Sequence, residues 1–233
     1  MRRLLLASAI AATLSAPLAA QITVASGTSQ NYFGPLGIDS QGFPASAIAQ
    51  TFMTPGGANY LQSFSFYLSN SFNGNLLFLQ AAVYQFDAGG FLAGPALFTS
   101  ALFNGSGNVN GNDTFTFGNQ LNIALSPNVV YALVLSSLPG AAQTPDGSTV
   151  LANLADGDTY AGGSLFYALS TNAADLSAPG GFTSLDDATD VAFSASFTPT
   201  ATPEPATLML VGTGLAGMGG VAVRRRRRPS SRA

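Results

Sequence analysis

The sequence predicts an all-β protein, an antiparallel β-sandwich of jelly-roll type that occupies residues 21–199. Three observations lead to this prediction. Short apolar segments recur along these residues, turn-forming Gly, Asn, Pro and Asp separate them, and no stretch has the apolar period and caps of a helix. About eight to ten strands in roughly 180 residues are typical of a two-sheet sandwich around one core.

Alternation of apolar and polar residues identifies the first group of strands. Segment Ile48–Phe52 alternates, segment Phe64–Leu68 carries its two Phe residues and Leu68 on one face, and segment Val191–Phe197 repeats this pattern. A period of two residues means that each strand has one buried face.

The remaining strands are predicted from density of β-forming residues. Leu76–Phe86 and Val129–Leu135 are long or rich in Val, Leu and Tyr, so we expect central strands there. Shorter strands are expected at Leu97–Asn104, Thr114–Phe117 and Leu121–Leu125. The turn-rich connections lie at residues 55–57, 73–75, 87–90, 105–112 and 145–147.

The charges are divided sharply between the termini and the rest of the chain. All eight cationic residues are arginines that lie before residue 4 or after residue 223, whereas residues 21–202 contain ten aspartates and no Lys, Arg, His or Glu. Such a surface repels phosphate backbones and anionic lipid, so we expect no nucleic-acid partner. Apolar burial and backbone hydrogen bonds must hold the fold without salt bridges.

The missing residue types also restrict catalysis. The chain has no Cys and no His, which excludes disulfides, Ser-His-Asp and Cys-His mechanisms, and the usual ligands of zinc, copper and iron. Of the common acid–base side chains, residues 21–202 offer only Asp and Tyr. We therefore expect a protein that is not an enzyme, and an aspartate-pair hydrolase is the enzymatic alternative.

Five aspartates are the candidates for that alternative and for a calcium site. They stand close together in two groups without cations to neutralise them, so a hard cation would relieve their repulsion. Neither group has the spacing of an EF-hand, and solvated turn residues are the commoner role. We expect no cofactor, and we keep calcium as the alternative at Asp156, Asp158, Asp186, Asp187 and Asp190.

Four tyrosines are candidates for stacking on sugar rings. They lie near predicted loops or strand ends, although half-buried packing is the commoner role of such residues. They are Tyr32, Tyr60, Tyr160 and Tyr167.

The first twenty residues predict a secretory signal peptide. Arg2 and Arg3 give a cationic start, residues 4–16 form a mostly apolar core, and Leu18-Ala19-Ala20 precede a cut near Gln21. Export through the Sec translocon and cleavage by signal peptidase follow from this prediction.

The C-terminal tail, residues 200–233, contains three parts in a fixed order. Pro203, Glu204 and Pro205 predict exposed extended backbone, and the apolar residues 206–223 are long enough for a marginal membrane-spanning helix of roughly 27 Å. The cationic block that follows orients its end toward the cytoplasm, so residues 21–199 lie outside. The block consists of Arg224, Arg225, Arg226, Arg227 and Arg228.

This order of parts resembles the PEP-CTERM sorting signal, with its Pro-Glu-Pro at residues 203–205. The resemblance implies cleavage at this motif by an exosortase, and an uncleaved single-pass membrane anchor is the alternative. The segments at 49–52, 61–68, 82–86, 94–100 and 190–193 more loosely resemble the exported β-sandwich bodies common among PEP-CTERM proteins. That looser resemblance implies no catalytic residue.

Together these features predict a non-enzymatic exported protein of a Gram-negative-type bacterium. We expect it to be held transiently in the inner membrane by its C-terminal helix and then delivered to the cell surface or the extracellular matrix. The resemblance implies association with exopolysaccharide or biofilm, and a carbohydrate-binding module with the same sorting signal is the alternative.

Overall fold

The structure is a computed structural model, and it describes residues 21–28, 31–38, 44–69, 76–105, 113–186 and 189–199. Their backbone forms two antiparallel sheets with a shared core, which confirms the predicted all-β sandwich. Residues 20–200 group into one compact unit. The predicted signal peptide and the predicted membrane helix at 206–223 lie outside the described residues.

Fourteen strands are described, and the chain crosses between the sheets at most of its connections. Sheet A is formed by β1 (Ile22–Ala25), β2 (Tyr32–Ile38), β4 (Tyr60–Ser69), β8 (Asp113–Phe117), β9 (Ile123–Ala124), β11 (Ser148–Asn153) and β14 (Phe193–Thr198). Sheet B is formed by β3 (Ala47–Met53), β5 (Phe78–Asp87), β6 (Phe91–Thr99), β7 (Phe103–Asn104), β10 (Val130–Ser136), β12 (Leu165–Ala168) and β13 (Thr183–Ser184).

Each sheet is built around a long strand. In sheet A the order is β1-β14-β4-β11-β2, and β8 and β9 also pair with β4. In sheet B the order is β13-β12-β3-β10-β5-β6, and β7 pairs with β5. Jelly rolls are likewise two antiparallel sheets with Greek-key connections, but the jelly-roll type itself stays a prediction.

The core between the sheets is dominated by phenylalanine. Period-two alternation places Phe64 and Phe66 of β4 and Phe193 and Phe197 of β14 inside, each no more than 1 % exposed. Phe52 of β3 meets Phe197 across the sandwich with ring centroids 5.7 Å apart. These contacts between the sheets bury aromatic surface, and this burial stabilises a sandwich that has no cationic residue to form salt bridges.

Sheet B is covered on its outer side as well. A second apolar cluster there combines outward residues of the central strands with Leu176 and Phe182 from the segment that follows β12. Two 3₁₀ helices, Leu138–Gln143 and Ala173–Ser177, lie on this side and pack against β5 and β6. The central strands β3 and β10 of sheet B are therefore buried on both faces, which explains the continuous apolar run of β10.

The structure corrects several of the predicted strands. One strand was expected at residues 97–104, but β6 begins at Phe91 and β7 is a separate short strand. Five strands were not predicted: β1, β2, β11, β12 and β13. Both β2 and β6 contain a Gly-Pro pair, which argues against a central strand, and both are edge strands, where proline is tolerated.

The predicted turn at residues 87–90 is confirmed as the β5–β6 hairpin connection. The carboxylate of Asp87 accepts a 2.7 Å hydrogen bond from the Gly89 amide, and the Asp87 carbonyl accepts a 2.9 Å bond from the Gly90 amide. Gly90 has a φ of 73°, a conformation that glycine adopts without strain.

Replacing Phe193 with Ala should lower the free energy of unfolding by about 3–5 kcal/mol, because the side chain is fully buried between the sheets. Ser194→Ala, on the outer face of the same strand, is the matched control and should change it by less than about 0.5 kcal/mol. Urea denaturation of the purified variants measures both changes. Equal effects at the two positions would contradict the assigned faces of β14.

Candidate functional site

Asp190 is buried at the point where the chain comes into β14, and it is 1 % exposed. Its Oδ1 accepts a 2.8 Å hydrogen bond from Nε2 of Gln50, and its Oδ2 accepts one of 2.8 Å from the amide of Tyr160. Gln50 lies on β3 of sheet B, and its Oε1 accepts a 2.8 Å bond from the Val191 amide. The Gln50 side chain therefore links sheet B to the start of β14 in sheet A.

The environment of Asp190 favours its protonated form. Burial raises the pKa of its carboxyl group, and the negative charge of Asp158 raises it further, while the hydrogen bonds from Tyr160 and Gln50 oppose the rise. Because residues 21–202 contain no cation, hydrogen bonds alone stabilise the ionised carboxylate. Its oxygens are occupied inside the protein and are not presented to solvent.

The loop between β11 and β12 closes over this carboxyl group. The amide of Ala155 donates to the Asp190 carbonyl at 3.0 Å. The Tyr160 hydroxyl donates to the Met53 carbonyl at 3.1 Å, and its ring packs edge-on against Phe193 at 5.6 Å. These contacts fix the Tyr160 side chain against β3 and β14.

The five candidate aspartates have different environments. Asp187 lies outside the described residues, and Asp156 and Asp158 are exposed on the β11–β12 loop. Asp186 is exposed and accepts a 2.8 Å hydrogen bond from the Thr189 hydroxyl, whereas Asp190 is buried. Within the described ranges, no group of three acidic side chains could hold a metal ion. A calcium site and an aspartate-pair site stay predictions.

Of the four candidate tyrosines, only Tyr32 is exposed, at 40 %. Tyr167 packs its ring against Phe33 at 5.4 Å, and Tyr160 is engaged as described above. Tyr60 is half-buried at the start of β4. Half-buried packing is therefore the observed role of Tyr160 and Tyr167.

The outer face of sheet A forms a surface that the sequence-based predictions missed. Phenylalanines of β4, β8 and β14 point into the core, so the residues that alternate with them point outward. These outward residues are uncharged and carry hydroxyl groups. We call this surface the hydroxyl face, and it consists of Thr23, Ser63, Ser65, Tyr67, Thr114, Thr116, Ser194 and Ser196.

The hydroxyl groups of this face are arranged in rows across the strands. Thr23, Ser196 and Ser63 lie opposite one another on β1, β14 and β4, and the hydroxyls of Thr23 and Ser196 are 3.4 Å apart. In the next row the hydroxyls of Ser65 and Thr116 are hydrogen-bonded at 2.8 Å. Sheet geometry spaces neighbouring strands by about 4.8 Å and successive outward residues by about 6.8 Å.

Tyr67 is the aromatic member of the hydroxyl face. It lies directly opposite Thr114 in the β4–β8 pair, and it is half-buried, whereas Thr114 is exposed. Its neighbours Phe66 and Leu68 belong to the core, and Tyr67 is on the opposite side of the strand. The alternation of Phe with Ser or Thr at residues 63–66 and 114–117 is the sequence signal that could have identified this face.

A shallow groove lies on the other side of the molecule, between sheet B and the two 3₁₀ helices. It has about 430 Å³ of empty volume, part of which is open solvent. Gln80, Tyr84, Leu92 and Leu176 are among its lining residues. Burial raises the pKa of the Tyr84 hydroxyl.

The predicted sorting residues Pro203, Glu204 and Pro205 and the arginines at 224–228 lie outside the described residues. In the part of the chain that is described, no helix has the length and apolar character to cross a membrane. The location of the predicted C-terminal membrane helix therefore rests on the sequence.

Residues 201–228 match the family model of the PEP-CTERM protein-sorting motif, which confirms the predicted resemblance. The match implies export with membrane-associated sorting in Gram-negative bacteria and processing by an exosortase, a membrane enzyme. It covers the tail and does not extend into the sandwich. Comparisons of the chain with curated proteins and with solved structures gave no match.

Asp190→Asn should remove a pH-dependent loss of stability. The pKa of Asp190 in the folded state lies above its ordinary value of 3.8, so between these values the folded state binds more protons than the unfolded state. The free energy of unfolding of the wild type therefore falls as the pH rises from 3.8 through the raised pKa. The Asn variant cannot ionise and lacks this fall.

Chemical denaturation between about pH 3 and pH 7 measures this difference. Asp156→Asn is the matched control, because it removes the same charge from an exposed position and leaves Asp190 in place. It should retain the wild-type fall. A fall of the same size in Asp190→Asn would show that burial of Asp190 is not its source.

Proposed function

We propose that this chain is a non-enzymatic exported protein of the cell surface or the extracellular matrix, which an exosortase cleaves at its PEP-CTERM motif. The observation that carries the proposal is the match of residues 201–228 to the PEP-CTERM sorting motif. In this proposal the tail determines where the protein is delivered. At the cell surface or in the matrix, the sandwich associates with exopolysaccharide or biofilm.

The proposed sequence of events follows the charges of the chain. The Sec translocon exports the chain and signal peptidase removes residues 1–20. Residues 206–223 hold the protein in the inner membrane with Arg224–Arg228 on the cytoplasmic side. Exosortase then cleaves at Pro203–Pro205, and the sandwich leaves without any cationic residue.

The composition of residues 21–202 supports a non-enzymatic role. They lack His, Cys, Lys, Arg and Glu, the side chains that most acid–base and nucleophilic mechanisms use. The described aspartate with a raised pKa, Asp190, is 1 % exposed and hydrogen-bonded within the fold. We infer a jelly-roll-type sandwich that serves as a stable, acidic matrix component.

An affinity for polysaccharide is supported by the hydroxyl face, which also favours the second candidate function. That candidate is a carbohydrate-binding module with the same sorting signal, and it differs in having a defined sugar site. A third possibility, a permanently anchored single-pass membrane protein, shares the tail but not its cleavage.

Mass spectrometry of the protein purified from the surface or matrix of its producer should find an N-terminus near Gln21 and a C-terminus near residues 203–205. The arginines at 224–228 should be absent, because exosortase removes the tail. A mature chain that still carries these arginines would instead support the permanent anchor.

A pair of proline variants tests the same cleavage. Replacing both Pro203 and Pro205 with Ala should leave the tail attached and the protein in the membrane fraction. Pro229→Ala, which lies beyond the arginine block, is the control and should be processed as the wild type is.

Retention of the mature protein on the exopolysaccharide of its producer should not weaken as salt rises from about 0.05 M to about 0.5 M. The sandwich has no cationic side chain, so its side chains form no ion pair with the polysaccharide that salt could screen. A basic protein of similar size is the control, which salt should release from acidic polysaccharide. Absence of retention at low salt would contradict the polysaccharide association.

A further inference from the structure

We propose that the hydroxyl face of sheet A binds a neutral polysaccharide chain, with one sugar ring packed against Tyr67. The inference rests on the proposed association with exopolysaccharide, and it adds the surface that makes the contact and the class of polysaccharide that it accepts. Neither the sorting motif nor the composition of the chain identifies this surface.

The first argument is the contrast between the two outer faces of the sandwich. The outer face of sheet B is covered over its central strands by the second apolar cluster, which includes Leu176 and Phe182. On sheet A, Thr23, Thr114 and Thr116 are exposed. An extended ligand therefore has access to sheet A, where it meets side chains that can form hydrogen bonds.

The second argument is charge. The seven strands of sheet A contain one acid, Asp113 at the beginning of β8, and no cation. The other described aspartates lie outside these strands, and residues 21–202 as a whole carry ten. An anionic polysaccharide would meet repulsion from such a body, whereas a neutral polysaccharide would not. The charge pattern therefore selects a neutral chain.

The third argument is hydrogen-bonding capacity. Each Ser or Thr hydroxyl is both a donor and an acceptor, and so is each hydroxyl of a neutral sugar. One row places such groups on three neighbouring strands, at Thr23, Ser196 and Ser63. The next row does so at Ser194, Ser65 and Thr116, where the buried Ser65 is hydrogen-bonded to the exposed Thr116. A sugar chain that lies across the strands meets a new hydroxyl at each strand, about every 4.8 Å.

The fourth argument is the position of Tyr67. An aromatic ring offers a flat apolar surface and a polar hydroxyl, which suits the apolar face and the hydroxyl edge of a sugar ring. Tyr67 lies on the side of β4 away from the core, and Thr114 is directly opposite it. The pair therefore combines a stacking surface with an exposed hydroxyl group.

The test compares variants of the mature, processed protein in binding to two fractions of the producer's exopolysaccharide, neutral and acidic, that anion exchange separates. The wild type should bind the neutral fraction. Tyr67→Ala should weaken this binding by about tenfold, whereas Tyr67→Phe keeps the ring and should stay within about twofold of the wild type.

Threonine variants provide the matched comparison for the hydroxyl groups. Thr114→Val removes one hydroxyl of the face without changing the shape of the side chain, and it should weaken binding by about threefold. Thr99→Val makes the same change at an exposed position of β6 in sheet B and should have no effect. Thermal denaturation of each variant shows whether its fold is intact.

The possible results separate this inference from the proposed function. If the wild type binds neither fraction, the exopolysaccharide association and the inference both fail. If it binds but Tyr67→Ala and Thr114→Val bind equally well with intact folds, the association stands and the hydroxyl face is not its site. Preference for the acidic fraction overturns the assignment to a neutral chain.

Sedimentation equilibrium tests whether a second copy of the chain occupies this face. The wild type should be monomeric at the concentrations used for binding. A wild-type dimer that Tyr67→Ala abolishes, without loss of binding to polysaccharide, would overturn the inference and assign the face to self-association.

Discussion

The hydrogen bonds of Gln50 with Asp190 and Val191 join the two sheets. Residues 21–202 contain no cationic side chain, so no salt bridge can make this connection. Gln50 is in the middle of sheet B, between β10 and β12, and its partners immediately precede β14. Because β14 lies between β1 and β4, these hydrogen bonds hold the beginning of a strand that pairs with both neighbours in sheet A. The β11–β12 loop closes over the same carboxyl group through the Tyr160 amide. A sandwich without salt bridges thus depends on a fully hydrogen-bonded polar cluster inside an aromatic core.

The absence of cations has a second consequence, for the surface. Aspartates cannot be paired with Lys or Arg here, and those in loops and at strand ends, such as Asp87 and Asp156, are exposed to solvent. On β4, β8 and β14 of sheet A the outward residues are Ser and Thr together with Tyr67. An acidic protein therefore presents an extended neutral surface, and the proposed polysaccharide contact uses that surface. Its negative charge elsewhere disfavours phosphate and anionic lipid as partners.

Sequence reasoning succeeded where one local signal was strong and failed where neighbours decided the outcome. The Phe-Ser-Phe alternation of β4 and the Val-rich run of β10 located two central strands. Strands β2 and β6 were missed or misplaced because a Gly-Pro pair breaks the local pattern, and only their position at a sheet edge permits it. The buried role of Asp190 was equally hidden, since a carboxylate in a sequence does not indicate whether Gln50, 140 residues away, will donate to it.

The sequence by itself determined the all-β class, the separation of charge between tail and sandwich, and the sorting motif at residues 201–228. These features are local or compositional, so they can be recognised without the fold. Only the tertiary structure decided which aspartate is buried, which tyrosines pack against other rings, and that Ser and Thr from β1, β4, β8 and β14 share one face. The physical reason is that antiparallel pairing brings together residues that are distant in the chain, such as Thr23 and Ser196, which are 173 residues apart.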